Sequence, residues 1–171
     1  PNILCGHSLG EFTALVAANS ISLEDAILLV HKRGILMEKC KKGSMCAILN
    51  VDKDIISKTC KQIENKFNTI VAPANINSPK QIVISGTTIG VNQVVKHLTQ
   101  SGYKKCIKLN VSVASHSRLM DEISKDFRDE LNEIDFNEPN CEVIHNVDNK
   151  SSSDIFDLKE KLLNQLTCPV Q

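Results

Sequence analysis

The sequence predicts an α/β fold interrupted by an inserted β-α-β-β-α-β unit. Three observations lead there. A short apolar run, "PNILC", stops at a Gly-x-Ser-x-Gly turn and passes into an Ala-rich helical segment. Strand-like and helix-like patterns then alternate between residues 43 and 112 in the order of a ferredoxin-like unit. After that block, helical segments and one more strand-like run return. The expected division is therefore 1–42, an inserted 43–112, and 113–171.

Each element has a local reason. Residues 1–5 read as a buried strand. Residues 9–18 suit a helix, broken by "NS" at 19–20. Ser22 and Asp25 form a capping box for a helix from Leu23 to about Cys40, closed by "KCKKG" with cations and a glycine. "SMCAILN" (44–50) is a strand, and 53–67 is an amphipathic helix with Ile55, Ile56, Cys60, Ile63 and Phe67 on one side. Residues 69–77 and 81–86 are strands joined by "SPK". A helix over 88–102 ends at Gly102, and 104–110 is the last strand of the insert. A helix from Arg118 to Ile134, a strand at 141–147 and a helix at 155–166 complete the chain.

The strand carrying the serine turn opens the chain, whereas such strands normally lie between parallel neighbours. Only 141–147 remains to pair with it. The expectation is a fragment, with sheet strands missing before Pro1 and after Gln171.

Composition narrows the function. Lys+Arg and Asp+Glu balance at 20 each, which argues against general nucleic-acid binding. No apolar run is long enough to span a bilayer. Seven cysteines, an odd number without C-x-x-C spacing, read as free thiols rather than a disulfide framework or zinc site. Basic clusters stand at Lys39, Lys41 and Lys42, and at Lys104 and Lys105.

"GHSLG" between a strand and a helix is the pattern of a nucleophile elbow, with Ser8 at its tip. Ser8 also stands at a helix N-terminus, where backbone N–H groups favour a developing oxyanion, and the Leu9 N–H is the natural donor. The alternative for Ser8 is a capping serine in a glycine-flanked turn. A serine nucleophile needs a base. His7 lies inside the elbow and reads as a packing residue, while His31 and His97 lie on helices. His116, at a strand-to-helix junction, and His145, in the 141–147 strand, both remain candidates.

Several motifs in order, "GHSLGE", "KRGILM" (32–37), "NINSPKQIVISG" (75–86), "VSVASHSRLM" (111–120) and "NQLTCPV" (164–170), resemble the malonyl-CoA:acyl-carrier-protein transacylase family across nearly the whole chain. The resemblance implies an α/β-hydrolase-like large subdomain with a ferredoxin-like small one inserted. It implies Ser8 as nucleophile, His116 as base, and Leu9 as one oxyanion donor. Arg33 matches the arginine that clamps the substrate carboxylate, and Met37 a pocket wall one turn on. Asn75 and Asn77 match polar residues near the groove, and Gln165 the residue whose main-chain carbonyl orients the base. The family's Gly-Gln-Gly stretch, which gives the second oxyanion N–H, is absent from this sequence. "VASH" departs from the commoner "PSH" and "AFH", and Cys168 and Gln171 stand near positions often basic in relatives.

The implied reaction is transfer of a malonyl group from malonyl-CoA to the phosphopantetheine thiol of acyl carrier protein through malonyl-Ser8. No metal and no bound cofactor are expected, because phosphopantetheine is a substrate arm. The implied partners are malonyl-CoA and acyl carrier protein, with no nucleic acid or membrane, and the protein is expected to be a monomer. The compartment is expected to be intracellular, with cytoplasm, plastid and mitochondrial matrix all open. A polyketide-synthase acyltransferase domain, a serine thioesterase or esterase, and a non-catalytic carrier-docking module are the competing readings.

Overall fold

A computed structural model describes residues 1–111 and 113–171. Ser112, expected at the end of the inserted unit, lies outside the described residues. Strand β1 (Ile3–Cys5) turns into helix α1 (Leu9–Ala17), and helix α2 (Leu23–Lys39) follows. The middle of the chain forms β2 (Ser44–Leu49), α3 (Lys53–Phe67), β3 (Val71–Ser78), β4 (Gln81–Gly86), α4 (Thr88–Gln100) and β5 (Cys106–Lys108). A 3₁₀ helix (Arg118–Ile123), α5 (Ser124–Asn132), β6 (Glu142–Ile144) and α6 (Ile155–Asn164) follow.

Helix starts are capped as the sequence requires. Ser22 Oγ accepts the Asp25 N–H at 3.0 Å and donates to the Asp25 carboxylate at 2.7 Å. Replacing such a cap by Ala costs about 1 kcal/mol. Thr87 caps α4 through the Gly90 N–H, and Asp154 caps α6 through the Asp157 N–H.

The strands form two sheets. β1 and β6 pair in parallel, Ile3 opposite Glu142 and Cys5 opposite Ile144, the pairing expected of 141–147. The middle block forms a four-stranded sheet in the order β3-β4-β2-β5, with every neighbouring pair antiparallel. Side chains alternate across β2, as strand geometry demands. Cys46 and Ile48 join Ile56, Ile63, Val94 and Leu98 under α3 and α4, while Met45 and Ala47 join Ala74 and Val83 on the other face. A separate, larger core gathers Phe12, Leu15, Leu29, Met120, Phe127, Leu158 and Leu162. Each such side chain, fully buried, contributes about 1.5–3 kcal/mol.

Two features join the sheets to the site. At the seam, a Cβ on Gly43 would lie 2.5 Å from both the Ala114 Cβ and the Gly86 carbonyl oxygen, so only glycine fits. The end of the chain pairs with β3: the Val170 N–H donates to Ala74 O at 2.9 Å, and the Ile76 N–H donates to Val170 O at 2.8 Å.

Some expected elements differ. The helix expected over 118–134 begins as a 3₁₀ helix and becomes α-helical only at Ser124. The Met120 N–H bonds Ser117 O and the Leu119 N–H meets Ser117 Oγ, which tightens that first turn. The 141–147 strand shortens to 142–144, because β1 offers three residues to pair and the chain at Asn146 turns to side chains of α1. No helix among the described residues is long and apolar enough to cross a membrane.

Candidate active site

The turn between β1 and α1 holds Ser8 at φ 53°, ψ −107°, a conformation rarely adopted by a residue with a side chain. Such backbone costs on the order of 1–3 kcal/mol and persists only where the surroundings enforce it. Two features enforce it here. A Cβ on Gly6 would lie 2.0 Å from the Gly10 carbonyl oxygen, so the strand end passes against the helix start only with glycine there. The Ser8 N–H donates to Asn146 Oδ1 at 2.6 Å, and Asn146 Nδ2 donates to Gly6 O at 2.7 Å. Leu9 opens α1, so its N–H is among the donors a helix start leaves without an intrahelical acceptor.

His116 sits at φ 57°, just before the 3₁₀ helix. Its Nε2 lies 2.9 Å from Ser8 Oγ, and its Nδ1 lies 2.6 Å from the main-chain oxygen of Gln165. Gln165 is the C-cap of α6, where carbonyls lack helical partners. That carbonyl can only accept, so Nδ1 carries the proton and Nε2 is left to accept from the serine hydroxyl. Burial pulls the imidazole down to about 4, against the Gln165 bond, which raises it; Arg33 and His7 lower it further. The ring is therefore neutral at neutral pH.

Arg33 lies on the core-facing stripe of α2 with Ala26, Leu29 and Leu36. It is 6% exposed, and its guanidinium carbon stands 5.8 Å from the centre of the Phe12 ring. Nη2 donates to Ser8 Oγ at 3.4 Å and to Gln165 Oε1 at 3.2 Å, and Nε is buried without an acceptor among the described residues. Burial draws Arg33 down to about 10, opposed by the charge of Glu11, so it stays a cation at neutral pH. A fixed, desolvated guanidinium beside a hydroxyl suits a group carrying a carboxylate.

Sequence reasoning missed the polar network beneath this pair. Glu11, buried on α1, accepts from His145 Nδ1–H at 2.7 Å, the Asn146 N–H at 3.0 Å and Gln165 Nε2 at 2.8 Å. Its spacing from Leu15 and Ala18, on the apolar side of α1, was the available signal. The other candidate base, His145, is committed to Glu11. His7, expected to pack, is instead exposed, with Nε2 3.0 Å from Asn77 Oδ1. It is fixed by a polar neighbour rather than an apolar one.

The remaining candidates divide. Asn77 and His7 line an open cavity of about 600 Å³ beside the elbow, with Gly6, Asn146 and Val170. Asn75 is buried, bridged to Val170. Met37 lies one turn beyond Arg33 but is half-buried against the larger core. His31 and His97 are exposed, as are Lys104 and Lys105, while Lys41 pairs with Glu122 at 3.2 Å.

A strained serine turn, an oriented imidazole and a buried arginine thus stand together at one place. Residues 1–164 match the acyl transferase domain family, and the chain belongs to it. It is 38% identical, over its whole length, to the malonyl CoA-acyl carrier protein transacylase of Staphylococcus aureus (strain COL), covering 56% of that protein. The crystal structure of an acyl carrier protein S-malonyltransferase from Vibrio cholerae superposes with a TM-score of 0.95 at 38% identity, covering all of this chain and 56% of that one. A malonyl-transacylase solved in complex with a type II PKS acyl-carrier protein superposes with a TM-score of 0.95 at 36% identity, with coverage of 100% and 56%. The chain thus spans just over half the length of the relatives it matches.

Proposed function

We propose that the protein transfers a malonyl group from malonyl-CoA to the phosphopantetheine thiol of acyl carrier protein, for fatty-acid synthesis. The observation that carries this reading is the buried Arg33 guanidinium 3.4 Å from the Ser8 hydroxyl that His116 engages.

His116 Nε2 takes the proton of Ser8 as Oγ attacks the thioester carbonyl. The oxyanion forms beside the Leu9 N–H. When it collapses the C–S bond breaks, coenzyme A leaves with the proton from His116, and malonyl-Ser8 remains. The carrier thiol then gives its proton to His116 and attacks the ester, and Ser8 recovers that proton as it leaves. Arg33 pairs with the malonyl carboxylate in both halves, fixing the reacting carbonyl. The Gln165 carbonyl, at the negative end of α6, favours the imidazolium that forms transiently. Met37, Asn75 and Asn77 border the acyl and pantetheine path.

In this reading 43–112 is a ferredoxin-like small subdomain. Residues 1–42 and 113–171 belong to an α/β-hydrolase-like large one. The protein is proposed to act as a monomer in an intracellular compartment. The exposed Lys104 and Lys105 suit an acidic carrier.

Intact-mass analysis with malonyl-CoA tests the proposal. A gain of one malonyl group by the wild type and none by Ser8→Ala is expected. Equal gain in both overturns it. The relative solved with a type II PKS carrier favours a second reading, loading of polyketide carriers; competing the two carrier classes against each other separates them.

A further inference from the structure

Glu11 is 1% exposed. A carboxylate buried so deeply is costly unless its lone pairs are filled. Three donors fill them: His145 Nδ1–H on Oε1, and the Asn146 N–H and Gln165 Nε2 on Oε2. Two of the three lead straight to the reacting groups. Asn146 spans the elbow, accepting the Ser8 N–H and donating to Gly6 O. Gln165 holds His116 through its main chain, accepts from Arg33 at Oε1, and donates to Ser8 O at 3.2 Å through Nε2. Serine clamp and base support therefore converge on one carboxylate, which bonds neither Ser8 Oγ nor the imidazole of His116.

We infer that Glu11 is a positioning residue: by holding Asn146 and Gln165 to one point, it sets the approach of Ser8 Oγ to His116 Nε2. This rests on the reading of Ser8 and His116 as the reacting pair. Replacement chemistry separates geometry from charge. In Glu11→Gln the amide oxygen still accepts from Asn146 and Gln165. Its NH₂ then needs an acceptor, and the His145 ring supplies one at Nδ1 in the tautomer that carries its proton on Nε2. His145 Nε2 is buried without a partner among the described residues, so the change breaks no bond there, at the cost of an unpaired buried N–H. Glu11→Ala leaves all three donors unmatched.

The rate of Ser8 labelling by a fluorophosphonate reads nucleophile and base without any acyl substrate. Glu11→Ala should slow labelling about 10–100-fold, the scale of a small misplacement of reacting atoms. Glu11→Gln should restore most of the rate, with the ¹⁵N shifts of His145 reporting the new tautomer. A folded Glu11→Ala that labels at the wild-type rate overturns the inference, and so does a Glu11→Gln as slow as Glu11→Ala. If Glu11→Ala does not fold, Glu11→Asp serves, since it keeps the charge and draws the carboxylate back from Asn146 and Gln165. It should label slowly, and a wild-type rate overturns the inference. A wild type that labels at Ser8 but takes up no malonyl group would sink the malonyl reading while leaving the test of Glu11 intact.

Discussion

The main-chain oxygen of Gln165 and Nδ1 of His116, 2.6 Å apart, decide which nitrogen of the imidazole faces the serine. A helix-end carbonyl does here what a carboxylate does in Ser-His-Asp sites: it fixes tautomer and orientation. It does so without adding a full negative charge, so the ring's affinity for protons stays low.

Ser8 and His116 should act as a unit, because removing either disables the same step. Malonyl loading by Ser8→Ala, His116→Ala and the double variant should fall to a common floor. Multiplying losses in the double variant would show that the two act separately.

The lowered pKa of His116 makes a signed prediction. Above its unfolded value of 6.5 the ring is neutral in both states and contributes no pH dependence. Below it, the unfolded chain binds a proton that the folded chain refuses until about pH 4. Stability should therefore fall as pH drops from 6.5 toward 4, by on the order of 3 kcal/mol from this group. Denaturant midpoints at pH 7 and 4.5 should converge more closely in His116→Ala than in the wild type. The acid limb of Ser8 labelling should lie near pH 4 rather than 6.5.

Arg33→Ala should lose most malonyl transfer while acetyl transfer survives or rises. The loss should be about 2–5 kcal/mol, as for truncating one partner of a buried charge pair. Equal losses of kcat/KM for the two acyl groups would assign Arg33 to the scaffold. Arg33→Lys should not restore specificity, because an ammonium lacks the planar fork.

The two elbow glycines should behave oppositely. Gly6→Ala places a methyl 2.0 Å from a carbonyl oxygen and should cost at least about 1–3 kcal/mol. Ser8 labelling should go with it. Gly10, in the first turn of α1, has nothing within 4 Å of a new Cβ, so Gly10→Ala should be stabilising by about 0.5–1 kcal/mol. Thermal melts of the two variants check both signs.

Much of this was legible in the sequence because it is local. The capping pair Ser22–Asp25, the alternation in β2 and the Gly-x-Ser-x-Gly turn each follow from a few adjacent residues. The partner of β1 was legible by elimination. What stayed hidden is non-local. Residue patterns alone left His116 and His145 both open as the base; the choice depends on Gln165 and Glu11, far away in the chain. His7 read as packing because it lies inside the elbow, yet its neighbour in space is Asn77. Arg33 falls on the i, i+3, i+7 stripe of buried apolar positions in α2. Residue patterns alone read it as a solvated helix arginine, since a charged side chain on that stripe does not announce a guanidinium aimed at a serine.

The order in which these parts leave the ribosome has a consequence. Ser8 leaves the ribosome 157 residues ahead of Gln165. Until Gln165 follows, the growing chain holds a serine with no oriented imidazole beside it. Through that interval the serine of a nascent chain is held apart from its base, and on the proposed function any acyl transfer waits until α6 docks.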